Sequence, residues 1–279
     1  MKFVGNLLTD ALLLLCLLAV AAQSGSSGAA ATTPDLREHL ATRLFGRVVE
    51  NQDAVDLGKL KDVLVEAETG RPTYAVISSG GLKPHRKLVP ATALSLATAK
   101  RSVLFLQVPS QEWAKAPAFK KSELPNLGKL EVISQVYGFY GVAPNATRDD
   151  AAPSKPGANR LSQTGVDPGP TAASEVSVRS CSAIIGEGVY DMHRETLGTI
   201  TDLLLDLSGR NPTMAIVSAK SLLKSSECFA VPLSSLTLSK ENKLVSNASR
   251  TNLQQAVLLT QRSWHQAANR DAIYRCPAR

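Results

Sequence analysis

Thiols, imidazoles and carboxylates are the groups with which this chain could do chemistry, and they are thinly placed. Four cysteines occur, Cys16, Cys181, Cys228 and Cys276, the last three in the second half. Two thiols brought together form a disulfide in an oxidising compartment, and an ionised thiol serves as a nucleophile or redox centre. Spacing alone leaves all three pairings among Cys181, Cys228 and Cys276 open. Cys181 with Cys276 is the candidate disulfide, and the alternative is that all three are small apolar core residues. His39, His85, His193 and His265 stand at no ligand spacing from one another or from a cysteine, so no metal motif is present. Asp191 and His193 come nearest to an acid–base pair, and the polarity of a turn explains them better. Asp62 and Asp202 recur at equal places in the two halves, and a structural hydrogen bond to a neighbouring turn is the expected role.

Ser78-Ser79-Gly80-Gly81-Leu82 is glycine-rich, yet it opens no helix and lacks the lysine of a phosphate-binding loop. Lys83, His85, Arg86 and Lys87 are the densest basic cluster. Lys83, Arg86 and Lys87 are the candidate contacts to an anionic partner, against the plainer reading of a solvated loop. No residue set is assigned to catalysis, to a metal or to a cofactor. The expectation is a non-enzymatic protein, with a thiol-dependent or other envelope enzyme as the alternative.

Lys and Arg number 31 against 24 Asp and Glu, a net charge of +7 that the two halves share evenly. A dispersed excess of this kind favours weak attraction to anionic surfaces. Neither a recognition motif nor base-stacking aromatics point to specific nucleic-acid binding. The apolar run from Ala11 to Ala22 carries no charge and is shorter than the ~20 residues of a membrane-crossing helix. With Met1-Lys2 ahead of it and small residues at Ala19 to Ala22, it reads as a signal peptide over residues 1–22. The alternative is an uncleaved anchor. Bulky Leu15 before Cys16 argues against a lipid-modified cysteine. A periplasmic or secreted protein is expected, with no transmembrane span in the mature chain.

The elements that must position these residues come from an internal repeat. At an offset of 140, Leu57-Gly58 matches Leu197-Gly198, and Leu60, Asp62 and Val63 match Ile200, Asp202 and Leu203. Pro72-Thr73-Tyr74-Ala75-Val76-Ile77-Ser78 then matches Pro212-Thr213-Met214-Ala215-Ile216-Val217-Ser218, and Val89-Pro90 meets Val231-Pro232. Leu44 to Val49 reads as a short strand, and Gly58 as the end of a turn. Lys59 to Val65 alternates polar and apolar residues as a half-buried strand does. The turn Glu68 to Pro72 makes Leu60–Val65 and Thr73–Ser79 a hairpin, and Ser208 to Pro212 repeats the device. Strands ending at Val89-Pro90 and near Leu94–Leu96 follow. Ser110 to Lys121 reads as a short helix interrupted at Pro117, and Lys129 to Tyr140 as a helix with an apolar stripe. Residues 253–264 and 269–274 occupy the equivalent places in the second copy.

The expected organisation is a flexible spacer at 23–41, a first domain with a helical tail at 42–141, a disordered linker at 142–178 and a second domain at 179–279. Ala, Pro, Gly and Ser dominate the linker, so the two copies are expected to sample many relative orientations.

Leu57-Gly58, Asp62-Val63-Leu64-Val65, Thr69-Gly70-Arg71 and Tyr74-Ala75-Val76-Ile77-Ser78 together resemble the PRC-barrel domain, the domain carried by the H subunit of the photosynthetic reaction centre. Val89-Pro90 with Leu94 resembles a further motif of that family, and Trp113-Ala114-Lys115-Ala116-Pro117-Ala118-Phe119 resembles its tail. The second copy keeps the core motifs but has Ala256-Val257-Leu258-Leu259 where the tail is expected. The resemblance implies a mainly β fold: two small PRC-type β-barrels, each with a short helical tail, in tandem as in exported bacterial proteins. It implies an adaptor that engages an envelope protein or an anionic surface. A further expectation drawn from it is an accessory subunit of a membrane redox complex.

Overall fold

A computed structural model of the protein describes residues 35–80, 85–96, 102–143, 176–218, 228–239, 241, 243–247, 255–265 and 273–276. The chain enters through a 3-10 turn, Leu36–His39, whose cap Asp35 accepts the Arg37 N–H at 3.0 Å. One helical turn follows, α1 (Ala41–Leu44). Then come β1 (Val48–Glu50), β2 (Asp56–Glu66), β3 (Pro72–Ser79), β4 (His85–Pro90), β5 (Leu94–Leu96) and β6 (Val103–Leu106). Helix α2 (Ser110–Lys115), strand β7 (Ala118–Phe119) and helix α3 (Leu130–Tyr140) complete the first half. The second half opens with β8 (Val178–Ser180) and α4 (Cys181–Ile184). It continues through β9 (Gly188–Tyr190), β10 (Thr196–Leu204), β11 (Met214–Ser218), β12 (Cys228–Pro232), β13 (Leu236–Leu238) and β14 (Leu244–Ser246). It ends with β15 (Val257–Leu258), α5 (Gln261–His265) and β16 (Tyr274–Arg275).

Lys59 and Lys61 are exposed with Leu60 buried between them, as the alternation predicts, but Val63, Leu64 and Val65 are all buried. β2 pairs antiparallel with β3 across the turn at Gly70, where φ is 70°. Both ladders carry an irregularity at the same place, between Leu60 and Asp62 in β2 and between Ile200 and Asp202 in β10. A bulge of this kind bends a strand and re-aims one side chain. Here the re-aimed side chain is the recurring aspartate. Gly58 does not end a turn: it lies inside β2, and a Cβ there would stand 2.4 Å from the Ser78 carbonyl oxygen. A Cβ on Gly198 would likewise stand 2.2 Å from the Ser218 carbonyl oxygen, so the Leu-Gly repeat marks a close approach of paired strands.

The first sheet runs β5-β6-β1-β2-β3-β4-β7, with β8 also on β2, and the second runs β13-β14-β9-β10-β11-β12-β16-β15. The first sheet has one parallel pairing, β1 with β6, and the second has two, β9 with β14 and β15 with β16. The fold is therefore mainly β, as expected, but the barrels are not closed. Among the described residues each hydrogen-bonded path stays open, because the outermost strands pair on one side only. Leu44 also departs from expectation: it ends α1, and a positive φ at Gly46 turns the chain before β1 begins.

Helix α3 forms where the apolar stripe was read. Ile133, Val136 and Tyr137 are buried against Leu64, Tyr74, Val76 and Leu88, and Gly141 closes the helix in the left-handed conformation. Tyr137 donates to the Thr73 carbonyl at 2.8 Å, and Tyr74 to the Leu127 carbonyl at 3.1 Å. α3 thus covers the outer face of the first sheet.

The two halves are not free to sample many orientations. Residues from Asp35 onward form one compact unit. A single core holds Ala41, Leu44, Leu60 and Leu104 together with Cys181, Ile184, Ile200 and Leu244. Val178, placed at the end of the linker by sequence, pairs with Glu66 in β2. Residues 1–34, which include the expected signal peptide, and 144–175 lie outside the described residues.

Candidate functional site

Each half lends its entry segment to the other. In the first sheet, β8 pairs with β2 through Leu64↔Ser180, Val65↔Arg179 and Glu66↔Val178. In the second, Leu40 bridges Leu204, and the Leu205 N–H donates to the His39 carbonyl at 2.8 Å. The two junctions are equivalent at the offset of 140. At their centre are the recurring aspartates. Asp202 accepts the Thr42 N–H at 3.2 Å and the Thr42 hydroxyl, while Asp62 accepts the Ser182 N–H at 3.1 Å and the Ser182 and Ser180 hydroxyls at 2.7 and 2.5 Å. Each carboxylate also accepts the N–H of the next residue in its own strand, at 2.8 Å in both cases. The expected structural role is met, and its object is the opposite half rather than a neighbouring turn.

Ion pairs tie each lent segment back to its own half. Arg47 pairs with Glu38, and Arg179 pairs with Glu187 through both carboxylate oxygens at 2.7 and 2.9 Å. Arg47 and Glu187 are equivalent at the offset of 140, and their partners Glu38 and Arg179 lie one position apart at that offset, so a pair of opposite polarity stands at nearly the same place.

The outer faces of the two sheets differ. Where α3 covers the first, the second is covered by Leu259, Trp264 and Tyr274 over Leu204, Met214, Ile216 and Ala230. Trp264 donates to the Pro212 carbonyl at 2.9 Å, much as Tyr137 donates to that of Thr73. Among the described residues a groove of about 360 Å³ lies between the entry segment and the second sheet. Leu36, Leu40, Leu204, Ile216 and Leu259 make it apolar, exposed Arg37 and Arg43 stand on the entry-segment side, and Cys228 and Cys276 lie at the strand side. His39 is next to it, its ring edge-on to Trp264 at 5.1 Å and its Nδ1–H donating to the Leu205 carbonyl at 3.2 Å. Burial holds its pKa below the usual value of 6.5.

The cysteines do not assemble as proposed from the sequence. Cys181 is fully buried in the shared core at the start of α4, whereas Cys276 lies beside Cys228 on the second sheet. The Cys276 N–H donates to the Cys228 carbonyl at 2.9 Å. Burial raises the Cys181 thiol well above its ordinary pKa, and the charges of Asp62 and Asp202 add to that. A protonated, enclosed thiol is a packing group.

The basic cluster is likewise divided. Lys87 is buried, with Nζ donating to the Trp113 carbonyl and to that of Ala114 at 3.2 Å, and with its ammonium 4.7 Å from the Trp113 ring centre. Burial lowers its pKa. Lys87 is therefore spent inside the first half and cannot face an anionic partner. Arg86 is half-buried opposite Phe119, and Lys83 lies outside the described residues. Asp191 is a turn residue: Oδ1 accepts the N–H groups of His193 and Glu195 at 2.9 and 2.8 Å. Asn51 does the same for Asp53 and Val55 at 3.0 and 2.9 Å, and Ala54 and Arg194 share a positive φ at equivalent places. Among the described residues no group of three His, Cys, Asp or Glu side chains could hold a metal, and no described helix is long and apolar enough to cross a membrane.

Residues 37–110 match the PRC-barrel domain. The match begins in the entry segment, takes in strands β1 to β6, and ends at the first residue of α2. No curated protein matches the chain.

Sequence reasoning missed the groove and the residues that build it. Leu36 and Leu40 fell in a stretch read as spacer, and their signal was the apolar pair four residues apart ahead of α1.

Proposed function

We propose that the protein is a non-enzymatic exported adaptor made of two PRC-type units, and that it holds a protein partner by an amphipathic helix seated in the groove of the second sheet. The observation that carries this reading is the difference between the two outer faces. Among the described residues, the first sheet is covered by its own eleven-residue helix α3, and the equivalent face of the second sheet carries an apolar groove. A helix laid on such a face buries side chains at i, i+3, i+4 and i+7. Exposed Arg43 suits an acidic residue on the helix's flank, and charge of this kind speeds encounter and fixes orientation.

The test is site-specific photo-crosslinking in the native host, with the reactive side chain at Leu36 in the groove and, as a control, at exposed Met192. A protein captured from Leu36 and not from Met192, through a linked peptide of amphipathic helical pattern with acidic residues, supports the proposal. No adduct at Leu36, or the same adducts from both positions, overturns it.

A further inference from the structure

Cys228 and Cys276 sit directly opposite each other in the sheet. β12 and β16 pair antiparallel through Phe229↔Arg275 and Ala230↔Tyr274, and the next step in this register sets Cys228 against Cys276. The backbone bond from Cys276 to Cys228 continues the ladder to that step. Side chains on a strand alternate between faces, so Cys228 points with Ala230 and Cys276 with Tyr274. All four lie on one face: Ala230 and Tyr274 belong to the outer cluster of the second sheet, and both cysteines pack against that cluster. Directly opposed residues that share backbone hydrogen bonds have Cα atoms about 5.5 Å apart. Disulfides span about 4.4–6.8 Å between Cα atoms. Both cysteines also line the groove, which opens a path for a reagent.

We propose that Cys228 and Cys276 form an intramolecular disulfide by exchange with a low-molecular-weight disulfide, closing one side of the groove covalently. One cysteine thiolate attacks the S–S bond of the reagent, forms a mixed disulfide and expels one thiolate. The second cysteine thiolate attacks the protein sulfur of that mixed disulfide and expels the other. Each cysteine loses one electron and its proton, and the reagent is reduced to two thiols. The bond pins β16, the strand nearest the end of the chain, to β12. Cys181 takes no part, being enclosed in the core away from the outer face. The inference stands on strand register and does not require the groove to hold a helix.

The full chain, purified reduced, is incubated folded with oxidised glutathione, quenched with acid and N-ethylmaleimide, and digested with trypsin without reduction. The expected product is peptide 225–240 joined to peptide 276–279, lighter by two hydrogens than the separate peptides, with loss of both alkylated forms. In Cys276→Ser, Cys228 is expected to stop at the glutathione adduct. In Cys181→Ala, which places the small residue found at the equivalent Ala41, the cross-link is expected to persist. Recovery of Cys228 and Cys276 as separate alkylated or glutathione-bearing peptides, or of Cys181 joined to either, overturns the proposal.

Discussion

His39 stacks edge-on against Trp264, donates to the Leu205 carbonyl and lies in the junction between the halves. Because burial lowers its pKa, the folded chain resists a proton that the unfolded chain accepts. The unfolded state then binds more protons below pH 6.5, so stability falls as pH drops from there to the folded-state pKa, where the slope from this group ends. Urea unfolding at pH 7.5, 6.5 and 5.5 is expected to show that decline. His39→Gln, which keeps an N–H donor but not the titration, is expected to flatten it. An unchanged slope in the variant would place the acid sensitivity elsewhere. Lys87 teaches a related lesson about reading single residues. In the run His85-Arg86-Lys87 it looks like part of a solvated patch, but laid over the second half it falls on buried Phe229. Its long apolar stem fills a core position while the ammonium reaches the Trp113 and Ala114 carbonyls.

At the scale of elements, the strands were legible because their signals are local. Alternation marked β2, Gly70 and Pro72 marked its hairpin, and the stripe from Ile133 to Tyr140 marked α3. What could not be read was which half each entry segment packs on. Leu40 and Ser180 have the same pattern whether they lie on their own sheet or the other, and the partners of Asp62 stand 118 and 120 residues away. The groove was hidden for a similar reason: Leu204 and Ile216 look alike in sequence whether covered or not. Glycines carry the sharpest test of the element geometry. Gly198→Ala forces a Cβ against the Ser218 carbonyl and is expected to cost about 1–3 kcal/mol. Gly138→Ala, in α3 with nothing within 4 Å, is expected to gain about 0.5–1 kcal/mol. Denaturant midpoints moving in opposite directions would bear this out, and a stable Gly198→Ala protein would contradict it.

For the whole molecule, reciprocal lending of segments means that neither half keeps its core when the other opens. The chain has two tryptophans, Trp113 in the first half and Trp264 in the second, and both are buried. Trp113→Phe and Trp264→Phe each leave one reporter. The two fluorescence midpoints in urea are expected to coincide once corrected for the cost of each substitution. Asp62→Ala, which strips the acceptor from Ser180 and Ser182, is expected to cost about 1–3 kcal/mol and to move both midpoints together. Two separated transitions would show that the halves unfold independently.

The lent segments also bear on counting. Two identical copies related by a two-fold axis present every surface twice. In this chain the two halves meet through equivalent contacts, yet one outer face carries α3 and the other a groove. On the proposed function, a single polypeptide thus keeps the mutual grip of a symmetric pair while offering one docking position instead of two. Its stoichiometry with a groove ligand would be one to one, and such a chain caps an assembly where a symmetric pair would bridge it.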